Sequence, residues 1–126
     1  MSTRSQIKVK GSEIMIYKHS DGYPSEVMPT LEKVMKQFIK ERGNEPDYAL
    51  AQIMRAFARR DEKRRKEGLK RNDSFSSIYE EPSMTGWGLD CVQHGDIEYL
   101  YKVDLEEGII LIKDLWNDDV RGVSIK

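Results

Sequence analysis

The chain has two histidines, and each stands two residues before an aspartate: His19-Ser20-Asp21 and His94-Gly95-Asp96. Residues i and i+2 of an extended strand face the same way, so imidazole and carboxylate at this spacing converge on one ion or one proton. Such a pair serves as metal ligands, or as a base with the group that orients it. Brought together by a sheet, His19, Asp21, His94 and Asp96 would supply a catalytic metal of the kind that cleaves phosphoesters. The local context points the other way. Asp21-Gly22 and Gly95-Asp96 are turn dipeptides, in which aspartate binds its own backbone. No further ligand follows at a spacing such as His-Glu-x-x-His. A metal-dependent phosphoesterase or nuclease is therefore an alternative reading, turn capping is the simpler one, and no cofactor is expected.

The elements that must position these residues are legible from periodicity. Thr3 to Val9 alternates, with Ser5, Ile7 and Val9 on one side and Arg4, Gln6 and Lys8 on the other, as in a half-buried strand. Lys10-Gly11-Ser12 is turn chemistry, and Glu13 to Lys18 returns as a second strand. Asp21-Gly22 stops the hairpin, with Gly22 expected at positive φ, and Pro24 launches a helix with Ser25 as its N-cap. Val27, Leu31, Val34, Met35, Phe38 and Ile39 form one apolar stripe, Pro29 fits an early turn, and Arg42-Gly43-Asn44 ends the helix. A second helix begins near Pro46-Asp47, with Tyr48, Leu50, Ala51, Ile53, Met54, Phe57 and Ala58 as its apolar face. A basic extension and a polar loop follow over about 59–86, the extension expected to be solvated. Trp87 to Val92, Ile97 to Leu105 and Ile109 to Leu115 read as an antiparallel meander, with Val120 to Ile125 as a further edge strand. The expected fold is α+β: a single antiparallel sheet in ββααβββ order with two helices packed on one face.

Composition narrows the function classes. A chain of 126 residues, 38% hydrophobic and 34% charged, is one soluble domain, 1–126, with one modest core. No apolar run is long enough to span a bilayer, and no apolar segment follows the charged start as in a signal peptide. The single Cys91 excludes an internal disulfide, fits a reducing cytoplasm, and between Leu89 and Val92 reads as a buried small residue. The net charge of −1 hides an asymmetry: eight basic residues against three acidic ones over 59–71, and eleven acidic against two basic over 80–119. The basic run carries no interleaved aromatics, which argues against general nucleic-acid binding. Phosphate loops, nucleophile elbows and dinucleotide fingerprints are missing, which weighs against an enzyme. Tyr17, Tyr23, Trp87, Tyr99 and Tyr101 offer flat faces with polar tips of the kind interfaces use.

Two stretches carry a resemblance. Met1-Ser2-Thr3-Arg4-Ser5-Gln6-Ile7 and Ile16-Tyr17-Lys18-His19-Ser20-Asp21-Gly22-Tyr23-Pro24 resemble an uncharacterised family of small phage, prophage and bacterial proteins. Members begin M-S-T-R-(S/A)-x-I, carry a Y-x-H-x-D-G-Y-P block, and hold an E-Y-L-Y strand like Glu98-Tyr99-Leu100-Tyr101. Ser20 stands where members have a tryptophan. The resemblance implies a mobile-element origin and the host cytoplasm as the setting. Small phage proteins without a catalytic signature act by binding, so the leading expectation is a binding module, with counter-defence as a role. Its target would be a host protein or a nucleotide-like anionic ligand. Arg4, Tyr17, Lys18, His19, Asp21 and Tyr23, from one hairpin and its exit turn, are the expected ligand site beside a helix N-terminus that favours an anion. A structural or regulatory homodimer is the third reading, and no membrane partner is expected.

Overall fold

The computed structural model describes residues 3–70 and 86–126, so most of the polar loop expected over 68–86 lies outside the described residues. The elements are β1 (Ser5–Val9), β2 (Met15–Lys18), α1 (Pro24–Arg42), α2 (Pro46–Lys70), β3 (Trp87–Asp90), β4 (Tyr99–Asp104), β5 (Ile109–Asp114) and β6 (Asp119–Ser124). The hairpin of β1 and β2 forms as its alternation predicts, Ser5 facing Lys18 and Ile7 facing Ile16. The C-terminal tail does add an edge strand, β6, antiparallel to β5. Among the described residues no helix is long and apolar enough to cross a membrane.

The α+β class holds, but the sheet is mixed rather than antiparallel. Its strand order is β3-β2-β1-β4-β5-β6, and β1 lies parallel to β4. The expected meander through Trp87 therefore does not form. β3 pairs with β2 instead, on the far side of β1 from β4. β3 and β4 run in the same direction, so residues 91–98 must travel back along the sheet before β4 can begin. They do so on one face. The buried Gln6 side chain on β1 donates from Nε2 to the Val92 carbonyl (3.1 Å) and accepts from the His94 N–H (2.8 Å).

Register assigns the two faces, because paired residues share a side. Ile16, Ile7, Tyr101 and Ile112 lie in one row and Val9, Val103 and Ile110 in the next. All are buried, and they share one cluster with Val27, Leu31, Met35 and Phe38 of α1 and Ala49, Leu50, Ile53 and Phe57 of α2. This is the helix-covered face. The alternate rows, with Tyr17, Gln6 and Leu100 and then Met15, Lys8, Lys102 and Leu111, form the other face. Residues 91–98 cross one half of that face and leave the half around Lys8 and Lys102 open. Gln6 was read as a surface position of a half-buried strand. A strand central in the sheet and covered on both faces buries it.

The helices depart from expectation in detail. Tyr23, not Ser25, is the N-cap of α1, and it makes no side-chain capping bond; Pro24 is the first residue. Pro29 lies inside the helix rather than in its first turn, so one backbone bond to Ser25 is absent there. Gly43, at φ 74°, closes α1 as expected, its N–H donating to Ile39 O at 3.1 Å. Tyr48, Ala51 and Ala58 of α2 face solvent. Tyr48 lies instead beneath the Arg42 guanidinium, 4.5 Å from ring to cation.

The basic extension is not wholly solvated. α2 runs on to Lys70, and its early charged residues dock. Arg60 donates to the Glu26 carbonyl (2.8 Å) and lies over the Phe57 ring, while Arg64 bonds Glu26 Oε2 at 2.9 Å. Asp61 accepts from Trp87 Nε1 at 2.8 Å, and Trp87 packs on Phe57 with ring centroids 5.0 Å apart. The helix thus clamps the start of α1 and β3 through polar contacts that an apolar pattern does not reveal. Cys91, expected as a buried small residue, is exposed, one residue beyond the end of β3 at Asp90.

Leu31 and Phe57 are fully buried between helix and sheet. Leu31→Ala or Phe57→Ala is expected to cost about 2–5 kcal/mol in urea unfolding, through lost transfer energy and the cavity left behind.

Candidate functional site

The stretch Lys18 to Pro24 is a junction where three parts of the chain meet. The His19 N–H donates to Gly86 O (2.8 Å), extending the β2–β3 ladder, and the Gly22 N–H donates to Thr3 O (2.9 Å). The buried Tyr101 hydroxyl donates to Gly22 O at 2.6 Å, and burial pushes its pKa far up, so it stays a donor. Asp21, rather than Gly22, takes positive φ, at 54°. Gly22 is needed for a different reason. A Cβ there would lie 2.5 Å from Ser5 Oγ and 2.9 Å from Thr3 O.

The six residues expected to bind a ligand do not form one cluster. Lys18 shares a row with Ser5 on the helix-covered face, buried, with its ammonium 4.7 Å from the centre of the Trp87 ring. Burial, then the Arg60 charge, lowers its pKa. Arg4 is taken by an ion pair with Asp96 in the crossing segment. Tyr17 and His19 do meet, Tyr17 Oη lying 2.9 Å from His19 Nδ1, and Tyr23 is exposed at the helix start. Strand alternation and an acid from the distant crossing segment divide the remaining charges.

The two His-x-Asp motifs come to the same face without forming a metal centre. His94 stacks on the Tyr17 ring at 4.5 Å between centroids, and His19 meets the hydroxyl of the same tyrosine. Each aspartate of the motifs is engaged elsewhere or off the strand: Asp96 holds Arg4, and Asp21 lies beyond β2. His94 pairs instead with Asp90, Nε2 to Oδ2 at 2.8 Å. That bond, with the N–H groups of Val92 and Cys91, holds the Asp90 carboxyl below its ordinary pKa. Among the described residues no three of His, Cys, Asp or Glu gather in a group that could hold a metal ion. The arrangement fastens the crossing segment to the sheet.

A different constellation appears on the open half of that face. Lys8 of β1 and Lys102 of β4 are direct partners across the parallel pair. Lys113 of β5 pairs with Leu100, two residues from Lys102, on the same face. Lys10 follows β1, its N–H donating to Val103 O at 2.8 Å. A cleft of about 520 Å³ opens here, lined by Lys8, Lys10, Lys102, Glu13, Asp104 and Leu111 among others. Lys113 first, then burial, Lys8 and Lys10, lower the Lys102 pKa. Asp104 answers only part of this charge: it caps its own turn by accepting from the Glu107 N–H (3.0 Å) and lies 3.5 Å from Lys10 Nζ. Among the described residues Lys8, Lys102 and Lys113 make no ion pair. Like charges placed directly opposite one another in a sheet are destabilising. Alternation places Lys8 only on the side of β1 opposite Ser5, Ile7 and Val9, and β1–β4 pairing is what brings it to Lys102.

No family model, curated protein or solved structure matches the chain.

The junction yields two expected outcomes. Tyr101→Phe leaves the Gly22 carbonyl without its donor, and about 1–3 kcal/mol of stability should be lost in chemical denaturation. Gly22→Ala should cost at least as much, although Gly22 has an ordinary φ, because the added Cβ collides with Ser5 and Thr3.

Proposed function

We propose that the protein is a non-enzymatic binding module whose ligand is a multiply charged, nucleotide-like anion, held in the lysine cleft on the open half of the sheet. The observation that carries this reading is the opposition of Lys8 and Lys102 across β1 and β4. Lys113 and Lys10 crowd the same place. An arrangement that costs stability in the empty protein becomes favourable when an anion bridges the ammonium groups. Leu111 adds apolar lining to the cleft, which suits a ligand with an apolar part beside its charges. The Arg4 to Tyr23 region supports the reading less well, since Arg4 is neutralised by Asp96 and Lys18 is buried beneath Trp87. In the phage or mobile-element setting that the sequence resembles, such a module would act in the host cytoplasm by sequestering its ligand.

The test is thermal unfolding with sodium tripolyphosphate, comparing the natural protein with the variant Lys8→Thr/Lys102→Thr. A ligand that binds only the folded state stabilises it, by about 2.7 kcal/mol at a hundredfold excess over Kd. The natural protein should gain stability with tripolyphosphate, and the gain should shrink as salt is added. The variant should fold, be at least as stable without ligand, and show no gain. An equal gain in both proteins would remove the cleft from the account.

The same lysines give a pH signature at low salt. With its folded pKa lowered, Lys102 binds fewer protons in the folded than in the unfolded state at alkaline pH. The penalty of its charge is therefore complete at neutral pH and fades as pH rises through the lowered value towards the ordinary lysine value. Stability of the natural protein should rise over that interval relative to Lys102→Thr, measured by parallel urea melts.

A further inference from the structure

We infer that β6 is the interface of a homodimer, in which two copies pair antiparallel, edge to edge, about a twofold axis through Val120. Among the described residues β6 is the last strand of the sheet, and none of them pairs with its outer side. The phase of its hydrogen bonds is fixed by the Ile125 N–H, which donates to Gly108 O at 2.9 Å in the β5–β6 register. Bonded pairs alternate in an antiparallel ladder. Asp119, Arg121 and Val123 therefore turn their backbone groups inward to β5, and Val120, Gly122 and Ser124 turn theirs outward. An axis through Val120 uses this outward set: Val120 bonds Val120 of the second copy, and Gly122 lies opposite Asp118 in the β5–β6 turn of the second copy.

The charges select this register. Between the bonded pairs, Asp119 of each copy faces Arg121 of the other, at the closely spaced positions where side chains are nearest, and the contact occurs twice. Centring the pair on Arg121 would set two arginines against each other, and centring it on Gly122 would separate Asp119 from Arg121. The apolar surface agrees. Val120 is 57% exposed and Trp116, in the β5–β6 turn, is 61% exposed. The dimer lays Val120 against its own copy and brings each Trp116 turn to the C-terminal end of the other β6, where the exposed ring can be covered. Because such an axis is normal to the sheet, the two lysine clefts open on the same side of the dimer.

Sedimentation velocity over a range of protein concentrations tests the inference. The natural chain should form a concentration-dependent dimer. Val120→Pro removes an N–H that points outward and leaves the bonds to β5 in place, so it should give a folded monomer with unchanged circular dichroism. Arg121→Asp should also be monomeric, and the exchange Asp119→Arg/Arg121→Asp should restore the dimer. A natural chain that stays monomeric at every concentration, or a dimer that survives Val120→Pro, overturns the interface. Failure of the double exchange to restore association overturns the register.

Discussion

The fold depends on the parallel pairing of β1 with β4. β1 has a bonded neighbour on each edge, the helix layer on one face and, over half its length, the crossing segment on the other. Ser5, Gln6, Ile7 and Val9 are consequently all buried. A buried polar side chain costs stability unless its hydrogen bonds are met. Gln6 meets both through Val92 and His94. The amide thus selects the path of the segment that must cross from β3 to β4, and the parallel pairing and the crossing segment require one another.

A second set of contacts ties the entry of α1 to the same core. Tyr101 reaches from β4 to the Gly22 carbonyl, and the closeness of Gly22 to Ser5 leaves no room for a side chain. On the other side of that entry, Arg60 and Arg64 of α2 hold Glu26. Helix α1 therefore begins without a capping side chain, its position set by tertiary bonds in place of a local one. The charged part of α2 gains its structure in the same way. Isolated, a polar helical arm has little to stabilise it, but Asp61 and Arg60 draw Trp87 and Glu26 onto it.

Charge is distributed unequally between the faces of the sheet. Where the crossing segment covers it, the polar groups have partners: Arg4 pairs with Asp96, and Asp90 with the His94 ring. Where the face is open, Lys8, Lys102 and Lys113 stand together and depress the proton affinity of Lys102. A protein with a net charge of −1 keeps this local concentration of positive charge beside apolar lining from Leu111. The field there depends on neighbours, so the overall balance of charge gives no hint of it.

Local chemistry, and so the sequence alone, determined the elements. Alternation named β1 and β4, an apolar run after a turn named β2, the apolar stripe named α1, and Gly43 and Pro24 marked that helix's ends. It also determined which residues of a strand share a side, since side-chain direction has a period of two. The neighbours of each strand were decided only by the tertiary structure, because pairing joins residues far apart in the chain and leaves no short-range signature. Hence an antiparallel meander was a reasonable expectation for Trp87 onward, and a mixed sheet is what forms. The same holds for the sites. Arg4, Tyr17, Lys18, His19, Asp21 and Tyr23 are close in sequence, yet alternation and Asp96 divide them. Lys8 and Lys102 are distant in sequence, yet the β1–β4 ladder sets them face to face.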